Sequence, residues 1–199
     1  MTTGFSDLKE LLLHPLGKGS DQIAQYGTTK KGLLTFLVLE FLCCLLLGFL
    51  IAPLVGFFMP HYYREIMAWG SVIVVIATFV IFVGQTVSIA LNSAIFYGLY
   101  RLTKGTASWT DVAKGFIYGK LFSDIYIVGI LILASLMVPS YSTSALWLAV
   151  AIVLGVFIWA IYVNVHLMSR ILDSKKLTVF VLYIGLAIIN VIIRYMLVS

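Results

Sequence analysis

Charge is scarce in this chain. Only 11% of its 199 residues are Asp, Glu, Lys or Arg, where soluble domains carry about a quarter, and this excludes an ordinary cytosolic protein. Cysteine is scarcer still. Cys43 and Cys44 are the only two, adjacent in an apolar run where a disulfide would be badly strained and no metal-ligand spacing exists. They read as small buried or lipid-facing side chains, and no metal site is expected. No basic stretch is long enough to track phosphates, so a nucleic-acid partner is not implied. The start of the chain lacks a basic region followed by a short cleavable apolar segment, so the first long apolar stretch, near Gly32, is expected to stay as an anchor. Catalytic templates are missing too. His14, His61 and His166 are isolated, with no H-E-x-x-H, no G-x-S-x-G and no phosphate-binding glycine loop. This argues against an enzyme, and no cofactor is expected.

What the chain has instead is hydrocarbon: 62% hydrophobic and 14% aromatic residues, with a mean hydropathy of +1.09. Apolar runs of 18 or more residues need bilayer around them. The sequence predicts an all-α polytopic integral membrane protein with two parts. Residues 1–31 form a short amphipathic N-terminal segment, cytoplasmic or interfacial, and residues 32–199 a bundle of five transmembrane helices. The spans fall at about 32–59, 67–100, 115–138, 145–168 and 177–198. The second exceeds a hydrocarbon core of roughly 30 Å and must tilt or protrude; a split near Gly84 and Gln85 lacks any charge or proline to make the turn.

Loop charges set the expected orientation. Lys9, Lys18, Lys30 and Lys31 precede the first span, Arg101, Lys104 and Lys114 separate the second from the third, and Arg170, Lys175 and Lys176 separate the fourth from the fifth. The other side has only Arg64 and Arg194. The N-terminus is therefore expected in the cytoplasm and the C-terminus outside, and the net charge of +5 suits anionic lipid headgroups on the inner side. Tyr62, Tyr63, Trp69, Tyr97, Tyr100, Trp109, Tyr141 and Trp147 sit where interface anchors belong.

Within residues 1–31, Phe5, Leu8, Leu11 and Leu12 share one helical face, Pro15 ends that segment, and Ser20 with Asp21 can start a second that stops near Gly27. Beside a membrane such a piece most simply lies in the headgroup layer, with partner docking as the alternative.

Ionisable groups at membrane depth are costly and mark places to look for function. Glu40 lies nine residues beyond Lys31 and Asn92 nine before Arg101, each about 13 Å deep at ~1.5 Å per residue. Lys120 and Asp124 can pair at i,i+4, and Asn164 and His166 lie a turn or more inside Arg170. The expectation is one polar cluster in the inner half of the bundle: Glu40, Asn92, Lys120, Asp124, Asn164 and His166. Either its charges neutralise one another structurally, or Glu40 and Asp124 form a proton, cation or headgroup site. Arg194 lies near the outer end and is expected to snorkel.

Small residues recur every fourth position as Ala90, Ala94 and Gly98 on the second span and Gly115, Gly119 and Ser123 on the third. Such faces let backbones approach closely, which suggests that these two spans pack as a hairpin. Ser108 and Asp111 are placed to cap the third span at Trp109.

The N-tail element Leu12-Leu13-His14-Pro15, the stretch "FYGLYRLTKG" followed by "TASWTDVAKGFIYGKLFSDIYIVG", and "WAIYVNVHLMSRILDSKKLTVFVLYI" over the last two spans together resemble the Yip1 domain family. The longer N-region with a Tyr-Gly-Pro-type motif found in eukaryotic members is missing, so the chain is nearer the compact prokaryotic members. The resemblance implies a five-span, non-enzymatic membrane protein, tied in eukaryotic members to vesicle trafficking through small GTPases and to membrane shaping, and for prokaryotic members it implies little beyond location. The leading expectation is a non-catalytic protein of the prokaryotic cytoplasmic membrane that acts through lipids, a membrane-protein partner or its own copies, assisting a transport or envelope system. It assigns no catalytic residue. The competing expectation is a small transporter or channel that uses the carboxylate and amide cluster.

Overall fold

The computed structural model describes residues 4–58, 70–137 and 143–198. Among the described residues every regular element is an α-helix: α1 Gly4–Leu13, α2 Lys18–Tyr26, α3 Thr29–Phe58, α4 Gly70–Leu102, α5 Trp109–Met137, α6 Thr143–Ile171 and α7 Lys176–Val198. Four segments among them are long and apolar enough to cross a membrane: Val74–Leu102, Trp109–Ile132, Val150–Ile171 and Lys176–Met196. From Gly70 on, the stretch read as the second span is one continuous helix of 33 residues to Leu102, unbroken at Gly84 and Gln85. The first expected span falls on α3, a helix of 30 residues whose side chains from Leu50 onward lie outside the described ones. His61, Tyr62, Tyr63, Arg64, Trp69 and Tyr141 also lie outside the described residues.

Local chemistry sets the ends of these helices. Ser108 and Asp111 form the expected capping box: the Asp111 amide donates to Ser108 Oγ at 3.2 Å and the Ser108 amide to Asp111 Oδ2 at 3.1 Å. The helices α4 and α6 stop without glycine. Lys104 and Asp173 take the left-handed conformation, at φ 62° and 46°, and Gly105 and Ser174 return their amides to the carbonyls of Tyr100 and Ser169, as in a Schellman closure. These turns share one end of the bundle with the starts of α3 and α5, where Thr29 Oγ1 donates to the Thr110 carbonyl. Exposed Lys30, Arg101, Lys104, Arg170, Lys175 and Lys176 crowd there, and we call it the basic end.

The hub is α5, which packs against α1, α3, α4 and α6, while α7 bridges α4 and α6. The small-residue ladders do not do what their spacing suggested. Ala90, Ala94 and Gly98 are exposed, and a Cβ on Gly98 would meet open space. The α5 ladder faces α6 instead: a Cβ on Gly115 would fall 2.6 Å from Met168 Sδ, and one on Gly119 would run into Asn164. Gly115 and Gly119 therefore let the bulk of α6 approach the α5 backbone. The contact between α4 and α5 is aromatic, with Phe96 and Phe116 centroids 5.4 Å apart and Tyr183 of α7 completing a triangle at 5.1 and 5.8 Å.

The two N-terminal helices fold back on each other and enter the bundle. They cross at Gly19, where a Cβ would lie 2.6 Å from the Leu11 Cα. Leu8, Leu11 and Ile23 are 3%, 0% and 0% exposed, in one core with Phe36, Tyr118, Leu121, Phe122, Val163 and Leu167. The stripe expected to face the headgroup layer is thus used inside the protein, and of its members only Phe5 remains exposed. Ser20, expected to cap the second helix, sits inside it and donates to the Pro15 carbonyl, while the helix starts two residues earlier.

Candidate functional site: a buried carboxyl pair

Two helices, α3 and α5, bring the charged members of the predicted cluster together. Lys120 and Asp124 form the i,i+4 ion pair on α5, and Glu40 of α3 is a close neighbour of Asp124. Glu40 is 2% exposed and Asp124 9%. Lys120 is the most open of the three, its side chain 26% exposed, so its ammonium neutralises Asp124 from the rim. Each carboxyl keeps one oxygen, Glu40 Oε2 and Asp124 Oδ2, without a hydrogen-bond partner among the described residues. Two carboxyls that face each other offer acceptors only, and a shared proton is what can join them.

Thiols and amides surround them. Cys44 Sγ lies 3.7 Å from Glu40 Oε1 as a weak donor, one helical turn further along α3, and both cysteines are free and buried. On the α6 side, Asn164 Nδ2 donates to Ser123 Oγ at 3.0 Å, and Ser123 Oγ donates to the Gly119 carbonyl at 2.9 Å. Asn164 therefore joins the α5 polar stripe beside Asp124, and its Oδ1 is a further buried acceptor without a partner among the described residues.

Two predicted members stand apart from this group. Asn92 donates to Ser88 Oγ at 3.1 Å and accepts from Asn190 Nδ2 of α7 at 2.9 Å. This amide pair ties α4 to α7. Depth alone grouped Asn92 with Glu40, and depth carries no information about which way round the helix a side chain points. His166 is buried, with neither ring nitrogen partnered among the described residues.

Sequence reasoning missed a second polar node at the hairpin. Asp7 is fully buried, accepts from Gln22 Nε2 at 2.8 Å and takes a long contact of 3.5 Å from the Tyr118 hydroxyl. Lys114 Nζ reaches the Ala24 carbonyl at 3.2 Å, and Arg170 Nε pairs with Asp21 at 3.3 Å. An acidic residue in the first turn of α1, where the helix dipole favours it, was the available signal. Among the described residues no group of His, Cys, Asp and Glu is arranged to hold a metal ion.

The chain matches no known protein-family profile, no curated protein and no solved structure.

Proposed function

We propose that the chain is a five-span integral membrane protein, Yip1-like, with its basic end in the cytoplasm and its C-terminus outside, that works by binding lipids or a membrane-protein partner. The observation that carries this reading is the construction of the basic end. Its exposed cations come from four separate segments: Lys30 at the start of α3, Arg101 and Lys104 at the turn after α4, Arg170 at the end of α6, and Lys175 and Lys176 at the start of α7. The Lys104 and Asp173 turns, the Arg170–Asp21 pair and the buried hairpin hold these segments. Two cations lie over aromatic rings, Arg101 over Tyr97 at 5.8 Å and Lys176 over Tyr162 at 5.3 Å, the amphipathic placement that suits a headgroup layer. A fixed basic face recognises anionic headgroups or an acidic partner through charge, each cation near such a surface contributing about 1 kcal/mol.

The test is mass spectrometry of proteins and lipids together on the chain extracted from its native membrane in a detergent-free disc. A stoichiometric protein or one enriched anionic lipid is the expected result. A preparation with bulk lipid alone overturns it.

A second reading, a small transporter of protons or cations, is favoured by the unpartnered oxygens of Glu40 and Asp124. It predicts a pH- or ion-dependent flux in vesicles that Glu40→Gln and Asp124→Asn abolish while folded protein is retained. Flux that survives both substitutions removes this reading.

A further inference from the structure

The hairpin of α1 and α2 ends just beneath the carboxyl pair. On α3 its contacts start at the basic end, where a Cβ on Gly4 would lie 2.6 Å from the Lys31 carbonyl oxygen, and they run to Phe36. Glu40 is the next turn. On α5 they run from Lys114 through Tyr118 to Leu121 and Phe122, and Asp124 follows within a turn. On α6 they run from Arg170 back to Val163, beside Asn164. The hairpin thus packs on all three helices that build the site, α1 against α3 and α5 and α2 against α6, on the basic-end side of Glu40 and Asp124. Burial along this route is nearly complete: Phe36 is 1% exposed, Tyr118, Leu121 and Phe122 0%.

We propose that α1 and α2 are a re-entrant plug that closes the basic-end approach to Glu40 and Asp124, and that opens when its seat is disturbed. The seat combines a tight stem with a looser tip. Apolar side chains along the hairpin are fully buried, and glycine allows two close crossings, at Gly4 against α3 at the stem and at Gly19 against α1 just past the tip. At the tip, residues His14–Lys18 stand off Trp159 across an open cleft of about 450 Å³. Polar contacts at the rim join Asp21 to Arg170, both about half exposed, and buried Lys114 to the Ala24 carbonyl. A wedge so held can leave as a unit, because its two helices pack on each other as well as on the bundle. The plug stands independently of what the carboxyl pair binds.

The protein carries its own reporter. Cys44 touches Glu40 and is 1% exposed, so the rate at which it reacts with a charged, membrane-impermeant methanethiosulfonate reads water access to the pair. In full-length protein in lipid discs, with Cys43→Ser to leave a single thiol, Cys44 is expected to label slowly. Gly19→Leu, which forces α1 and α2 apart, and Gly4→Val, which lifts α1 from α3, are each expected to speed labelling about tenfold or more by raising the open population. Gly4→Val makes the smaller disturbance and serves if Gly19→Leu fails to give a monodisperse protein. Labelling at the parent rate in a folded variant overturns the plug, as does rapid labelling in the parent itself.

Discussion

The helices α4 and α5 are alike in composition and unlike in fate. Both are long and apolar, and both carry a ladder of small residues, yet 44% of the most apolar window of α5 is buried within the chain and only 11% of that of α4. The polar side chains separate them. On α5, Lys114, Tyr118, Lys120, Ser123 and Asp124 each find a partner on another helix or on α5 itself. Polar groups cannot be left to hydrocarbon, so the helix that bears most of them becomes the centre. On α4 the amide Asn92 is satisfied by Ser88 of the same helix and by one neighbour, Asn190 of α7. Small residues permit close packing, but the need to bury polar groups decides where it happens.

The strongest challenge to this comparison is Lys120→Met. It leaves two buried carboxyls without their cation, and stability in reversible unfolding is expected to fall by about 3 kcal/mol, the usual cost of breaking a buried pair on one side. Lys120→Met with Asp124→Leu should recover most of that loss, and failure to recover would show that Lys120 works through packing instead of charge. Next in size is the contrast between the ladders. Gly119→Leu drives a side chain into Asn164 and is expected to cost about 2 kcal/mol by overpacking. Gly98→Leu enters open space and should stay within about 0.5 kcal/mol. Equal effects would mean that the α4 ladder is packed after all, against another copy of the chain. A double-mutant cycle on Asn92→Leu and Asn190→Leu should return a coupling of about 0.6 kcal/mol, as for interhelical hydrogen bonds in membranes generally. The smallest effect belongs to Asp21 and Arg170, roughly half exposed, where Arg170→Ala should cost about 0.3 kcal/mol and lose even that at high salt.

Much of the candidate site was legible in residue spacing. The Lys120–Asp124 pair followed from i,i+4 geometry, and the Ser108 cap from the residue types before Trp109. Glu40 and Asp124 came out at comparable depths because helix rise is constant. Azimuth was not legible. Asn92 shares a depth with Glu40 yet bonds to α7, and the Gly115–Gly119–Ser123 face meets α6 instead of α4. An apolar stripe such as Leu8 and Leu11 reads the same whether it will meet lipid headgroups or protein.

Sequence alone determined that the chain is helical and hydrocarbon-seeking, where its long helices run, and which few polar groups must be reconciled with an apolar interior, because these depend on composition and on the fixed periodicity of the α-helix. The tertiary structure alone decided that α5 is the hub, that Glu40 and Asp124 face each other, and that the N-terminal helices close beneath them. Those outcomes depend on the rotation of each helix about its axis. That rotation is set by mutual packing and by the pairing of buried polar groups, information that no single segment contains.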